Sequence, residues 1–316
     1  MAKFLITGGA GFIGSNIAEK LVALGHFVRI FDDFSSGRES NLSFAQALSK
    51  DKFEIYRGSI ASKEDCDRAC QGMDYVIHQA ALKSVPKSLL DPENYNNVNI
   101  NGTLFLLQAC LKHKVKRFVF ASSSSVYGDS NLFPQKEDHL PKPISPYALT
   151  KIAGEYYCKI FTTIYGLETV CLRYFNVFGP KQPPDDEYSA VIPKFISLML
   201  NGEQPTIFGD GKQSRDFTYI DNVVQANILA ATTKGLKHEV MNAAIGGEFT
   251  VIGIVDGVNK ILNTQIKPIF SPPRAGDIYR SFSDSSKIRQ LTGYNPTVTF
   301  DEGLKHTVEY LKKMKS

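Results

Sequence analysis

Phe4-Leu5-Ile6-Thr7-Gly8-Gly9-Ala10-Gly11-Phe12-Ile13-Gly14 runs an apolar strand straight into a glycine-punctuated turn, and Ile17, Leu21, Val22 and Leu24 continue it as an amphipathic helix. Gly8 allows the tight turn, Gly11 lets the backbone approach a pyrophosphate, and Gly14 permits close packing of helix on strand. The helix opening at Phe12 and Ile13 presents free N–H groups to phosphates. The spacing is G-x-x-G-x-x-G. A second apolar run, Phe27 to Phe31, ends in Asp32. An acid there accepts hydrogen bonds from both hydroxyls of an adenosine ribose and repels a 2′-phosphate, so the stretch predicts NAD in preference to NADP.

Working outward, strand candidates at residues 3–7, 27–32, 53–57, 74–78, 117–122 and 169–173 alternate with helical stretches. That alternation predicts an α/β fold with a doubly wound parallel sheet. After Gly179-Pro180 the elements shorten and are broken by prolines and by Gly209-Asp210-Gly211. The stretch 216–244 again reads as strand, helix, strand. We therefore expect a dinucleotide-binding domain over 1–180 plus 216–244 and a smaller, mostly C-terminal lobe over 181–215 plus 245–316.

The chain has 316 residues, of which 43% are hydrophobic and 22% charged, an ordinary globular composition. A net charge of +4 is too small and dispersed to argue for nucleic acid. The basic cluster from Lys112 to Arg117 reads as the end of a helix. Five cysteines without paired or metal-like spacing predict reduced thiols, no metal and a cytoplasmic protein, with Cys66 and Cys70 on one helical face as packing residues. The chain opens on a core strand and has no apolar run of about 18 residues, so neither a signal peptide nor a membrane span is expected.

The strand Arg117 to Ala121 ends in Ser122-Ser123-Ser124-Ser125, a row of hydroxyls where ligands bind in open α/β sheets. Beyond it comes Ser145-Pro146-Tyr147-Ala148-Leu149-Thr150-Lys151. Pro146 can start a helix, and Tyr147 and Lys151 then point together from one face. A free tyrosine titrates near pH 10, so poising it near pH 7 takes roughly 3 units, about 4 kcal/mol, of phenolate stabilisation. An ammonium one turn away and an oxidised nicotinamide are the expected sources.

With these pieces together, the chain resembles the NAD-dependent sugar epimerase/dehydratase family of extended short-chain dehydrogenases/reductases, nearly end to end. The resemblance rests on the glycine turn, Asp32, His78-Gln79-Ala80-Ala81, Asn99, the serine run, Tyr147-x-x-x-Lys151, Arg173 to Pro180, Gly209-Asp210-Gly211 with Arg215-Asp216-Phe217, and Arg274-Ala275-Gly276-Asp277. Within the family it is most similar to UDP-hexose 4-epimerases, especially those of bacterial surface-polysaccharide synthesis that accept N-acetylated sugars. Ser59 departs from the pattern, since the family usually has an aspartate there near the adenine amine.

The resemblance implies a catalytic set of Ser123, Tyr147 and Lys151. For the cofactor it implies the glycine turn with Asp32, Asp33, Ser59, Ile60, Gln79, Ala80, Ala81, Lys83, Asn99 and Tyr174, besides Tyr147 and Lys151. For the nucleotide sugar it implies Lys83, Ser123, Ser124, Asn176, Ala190, Val191, Phe208, Arg215, Arg274, Asp277 and Ser281. Tyr147 would take the O4 proton, Ser123 would bond O4, and Lys151 would orient the nicotinamide ribose and depress the Tyr147 pKa. Asn176, Arg215 and Arg274 would grip the diphosphate, Phe208 would pack near uracil and Asp277 would meet the uridine ribose. A homodimer is implied as well, through residues 92–113 and 146–166.

The expected reaction is C4 epimerisation of UDP-hexoses, foremost UDP-N-acetylglucosamine and UDP-N-acetylgalactosamine, because Ala190 and Ser281 are small where enzymes of plain hexoses carry bulk. UDP-glucose and UDP-galactose are further candidates. Lys83 keeps a uronate alternative open. A dehydratase would carry Asp and Glu where Ser124 and Ser125 stand, and two hydroxyls of ordinary pKa are poor acids and bases for elimination. A non-catalytic NAD-sensing protein and a simple reductase share the fold.

Overall fold

A computed structural model describes residues 1–184, 191–273 and 279–315. Its centre is a seven-stranded sheet in which every neighbouring pair is parallel. The first six strands are β1 (Lys3–Thr7), β2 (Phe27–Asp32), β3 (Phe53–Arg57), β4 (Tyr75–His78), β5 (Arg117–Ser123) and β6 (Glu168–Tyr174), and the seventh is His238–Ala243. Across the sheet they run β3, β2, β1, β4, β5, β6 and then His238–Ala243. The chain winds outward from β1 in one direction and returns to lay β4 on its other side. The crevice over the carboxyl ends of β1 and β4 is thus the switch point where ligands bind in such sheets.

Alternate strand residues go to opposite faces, and each face has its own core. Phe4, Ile6, Ile30 and Val119 pack with Ile17 and Leu21 of α1 (Phe12–Ala23) and with Val223 of the helix Ile220–Thr232. Leu5, Phe31 and Phe118 pack on the other face with α2 (Lys63–Cys70) and with α5 (Gly102–Lys112) and α6 (Pro146–Tyr165). All five cysteines are buried free thiols in this second core. Between α2 and α5 lie α3 (Val85–Leu90), α4 (Pro92–Tyr95) and a π-helical turn, Asn96–Asn101.

Beyond the sheet, Ser214–Arg215 pairs with Phe249–Thr250 and Arg280–Ser281, and Thr206–Phe208 pairs with Ile269–Ser271. The helices Val191–Leu200, Val251–Leu262 and Phe300–Lys315 pack around these short strands. Among the described residues no helix is long and apolar enough to cross a membrane, and no cluster of His, Cys, Asp or Glu could hold a metal.

Candidate active site

The turn after β1 is shaped by what its glycines omit. Gly8 has φ +63°, a conformation that suits glycine, and a Cβ on it would stand 2.7 Å from the Ala80 nitrogen. A Cβ on Gly14 would collide with the Gly8 carbonyl, and one on Gly11 would lie 3.1 Å from it. Gly11 caps α1, whose first turn carries no acidic side chain, so its N–H groups face a cradle of positive polarity. Asp32, at the end of β2, accepts from Ala10 N at 2.9 Å through Oδ2 and from Phe34 N at 2.8 Å through Oδ1. Burial raises its pKa, against the pull of those two amides. One carboxylate thereby braces both the glycine turn and the loop after β2, with lone pairs left for a ligand.

These parts line a cleft of about 570 Å³. Gly8, Gly11, Phe12, Ile13 and Gly14 form one wall, and Asp32, Asp33 and Ile60 continue it. Gln79, Ala80, Ala81 and Lys83 form the floor, and Tyr174 borders it. Gln79 Nε2 donates to Tyr174 Oη at 2.8 Å, and Tyr174 Oη donates to Asn227 Oδ1 at 2.9 Å, which fixes the ring. The glycine cradle, the helix N-terminus and Asp32 fit a dinucleotide. Ser59 lies outside the lining; its N–H donates to Asp65 Oδ2 at 3.2 Å, and its hydroxyl accepts from Ala61 N at 3.3 Å. Asn99 also lies outside it and grips the backbone of Leu82 instead.

The far end of the same cleft holds Ser123, Ser124, Tyr147, Lys151 and Asn176. The Ser145 hydroxyl accepts from Ala148 N at 3.2 Å and, with Pro146 next, starts α6 so that Tyr147 and Lys151 sit one turn apart. Lys151 Nζ donates to Ala121 O at 2.8 Å and lies 5.8 Å from the Tyr147 ring centre. Ser123 Oγ accepts from Ser125 N at 3.2 Å, and Ser123 pulls the Tyr147 phenol toward a lower pKa.

Lys151 does not depress the Tyr147 pKa as expected from the sequence. Burial pushes the phenol up to about 12, against the downward pull of Ser123, and pushes Lys151 down to about 8. Loss of water disfavours the charged form of each group.

Other expected residues stand apart from this cleft. Val191, Phe208, Arg215 and Ser281 do not line it. Arg215 pairs with Ser281 across the short strands and donates through Nη1 to Ser214 O and Tyr279 O. Ala190, Arg274 and Asp277 lie outside the described residues. The cleft also includes Ser35, Ser36, Arg38 and Asn41 after β2, and Lys181, Gln182 and Pro183, which the sequence reading missed. A signal for the first group was present in Ser35-Ser36-Gly37-Arg38, a polar run following the strand-end acids. Only glycine at position 37 lets that loop cross Asp32, since a Cβ there would stand 2.8 Å from Oδ1.

Comparison with known proteins places this geometry among relatives. The sequence profile of the NAD dependent epimerase/dehydratase family matches residues 4–244. A UDP-N-acetylglucosamine 4-epimerase from Methanobrevibacter ruminantium, solved in complex with UDP-N-acetylmuramic acid, is 39% identical with a TM-score of 0.94, covering 99% of each chain. A UDP-glucuronic acid 4-epimerase from Bacillus cereus, solved with UDP-glucuronic acid and NAD, is 34% identical with a TM-score of 0.90, over 99% of each chain. A UDP-glucose 4-epimerase of Mycolicibacterium smegmatis is 36% identical over 98% of each chain.

Proposed function

The chain belongs to the NAD dependent epimerase/dehydratase family, and from that membership we infer a UDP-sugar 4-epimerase acting on UDP-N-acetylglucosamine and UDP-N-acetylgalactosamine. Plain UDP-glucose and UDP-galactose are its secondary substrates. The observation that carries the reading is the meeting, in one cleft, of the glycine turn and Asp32 with Ser123, Tyr147 and Lys151.

NAD, which the turn, Asp32 and the floor at Gln79 to Ala81 would hold, supplies a hydride acceptor at C4 and, once reduced, the donor. Tyr147 takes the O4 proton and returns it, as the phenolate that the positive charge of an oxidised nicotinamide would favour. Ser123, in the same cleft, contacts O4, and Lys151 orients the nicotinamide ribose. C4 inverts only if the hexose turns over between the two proton transfers. The residues must therefore clamp the diphosphate and leave the sugar loose, and we assign the clamp to Asn176, Arg215 and Arg274, since guanidinium forks match phosphate oxygens. Phe208 is assigned to uracil and Asp277 to the uridine ribose. On this reading the domain of residues 1–180 plus 216–244 holds NAD, the lobe of 181–215 plus 245–316 holds the nucleotide sugar, and the enzyme is a homodimer.

The N-acetylated pair is proposed from the sequence alone, on the small residues Ala190 and Ser281; Ser281 is buried outside the cleft of Tyr147 and Lys151. A second reading, a UDP-uronate 4-epimerase, is favoured by Lys83 in the cleft, where an ammonium could meet a carboxylate. Ser124 in the same cleft stands where an elimination would need an acid.

The test is incubation without added cofactor of UDP-N-acetylglucosamine, UDP-glucose and their uronic acids, followed by sugar NMR. Ser281→Tyr should lower turnover of the acetylated pair about tenfold to two-hundredfold and spare the plain hexoses. Equal loss for both pairs removes the gate at Ser281, and turnover of the uronates alone replaces the first reading with the second.

A further inference from the structure

His78 closes β4, is almost fully buried, and takes no part in the proton transfer argued above. Each ring nitrogen meets one hydroxyl. Nδ1 is 2.7 Å from Thr7 Oγ1 at the end of β1, and Nε2 is 3.1 Å from Thr103 Oγ1 in the first turn of α5. The ends of this row fix where its protons sit. The Asn99 carbonyl can only accept, so the Thr103 hydroxyl donates to it, at 2.6 Å, and must itself accept from His78 Nε2–H. At the other end Ala80 N–H donates to Thr7 Oγ1 at 3.1 Å, and the Thr7 hydrogen is directed at a bare Nδ1. Every donor finds its acceptor when the imidazole is neutral and protonated on Nε2. Burial and the neighbouring Lys151 charge favour that state, holding His78 down to about 3.

The row starts on the floor of the cleft and ends behind it, at a residue that holds the floor's Leu82. It begins at Ala80 N–H and finishes at Asn99, whose side chain accepts from Leu82 N at 2.8 Å and donates to Leu82 O at 3.0 Å. There is no slack above it, because Gly8 lies so close to Ala80 that one added carbon would overlap. We propose that His78 is a positioning residue. Held in one tautomer between Thr7 and Thr103, it fixes the segment Gln79 to Leu82 against the glycine turn and so sets the floor on which the nicotinamide nucleotide lies. This role rests on the reading of the cleft as an NAD site.

Thr103→Val removes the hydroxyl that accepts from Nε2 and keeps the side-chain shape, whereas Thr103→Ser keeps the hydroxyl. The readout is NAD dissociation, measured as nucleotide retained through gel filtration and released by denaturation. Thr103→Val should weaken NAD binding about tenfold with an unchanged KM for the UDP-sugar, and Thr103→Ser should stay within about twofold of the wild type. Unchanged retention in Thr103→Val, or equal loss in both variants, overturns the role. Long-range proton–nitrogen NMR of the wild type gives a check that needs no variant: His78 should show a protonated Nε2 and a bare Nδ1 from pH 5 to pH 9. The opposite tautomer or a charged ring overturns the inference alone. A wild type that holds no nicotinamide nucleotide overturns the site reading and this role with it.

Discussion

Tyr147 and Lys151 show how one environment acts on two groups of opposite charge type. The phenol rises to about 12 and the ammonium falls to about 8 for the same reason, since burial penalises the charged form of each. The protein atoms alone hold Tyr147 as a phenol, and Ser123 is the neighbour pulling the other way. Tyr147→Phe removes the proton acceptor and leaves the diphosphate grip untouched. It should lower kcat at least about a hundredfold with little change in uridine nucleotide affinity, read by initial rates and by calorimetry. Retention of more than about a tenth of the activity would assign the base elsewhere. The residues that shape the cleft by local geometry were legible in the sequence, because Gly8, Gly11, Gly14 and Asp32 each answer to a backbone requirement nearby. Asn99 was not. Its side chain holds Leu82 because a π-helical turn places it there, and no local pattern announces such a turn.

Among the elements, the joints between the sheet and the short strands depend on Asp216. Its Oδ2 accepts from Gly246 N at 3.1 Å, from Ser283 N at 3.3 Å and from Ser283 Oγ at 2.9 Å, tying three separate segments. Burial nevertheless raises its pKa to about 6 from an ordinary 3.8, overriding those bonds. A carboxyl that holds its proton more tightly when folded contributes stability that is complete below pH 3.8 and is lost as the pH rises through about 6. The shift of roughly 2 units corresponds to about 3 kcal/mol. Asp216→Asn keeps an oxygen for the three donors and removes the titration. Denaturant unfolding at pH 4 and pH 7 should therefore show the variant gaining on the wild type by up to about 3 kcal/mol at the higher pH. A difference independent of pH would mean that Asp216 is ionised at no cost. The long strands around it could be read from sequence because their apolar runs exceed one turn of any competing pattern. Strands of two residues such as Ser214–Arg215 and Arg280–Ser281 could not, since a period needs repeats and these elements exist only through their partners.

For the whole molecule, the two stretches 92–113 and 146–166 each carry an apolar stripe in the sequence, Leu104, Leu107 and Cys110 in one and Tyr156, Ile160 and Ile164 in the other, and folding separates them. Leu107 and Cys110 of α5 are buried against the protein's own sheet. On α6, Ile152, Cys158 and Phe161 turn inward, whereas Tyr156 stays 58% exposed, Ile160 47% and Ile164 69%. Leu149 on the same helix and Leu89 and Leu90 of the nearby α3 are exposed as well. Isolated apolar residues at a surface need no explanation, but a row of them along a helix that is already anchored by its other face is a surface suited to a second copy. We propose this face of α6 as the contact of a homodimer; of the α5 stripe, Leu107 and Cys110 are buried and not available to one. Ile160→Asp should then convert a dimer to a monomer in light scattering across a hundredfold range of concentration. Because Ile160 contributes little to the protomer's own core, circular dichroism should show the fold retained. A wild type that is monomeric at every concentration removes the assignment, and a variant that stays dimeric moves the interface to another face.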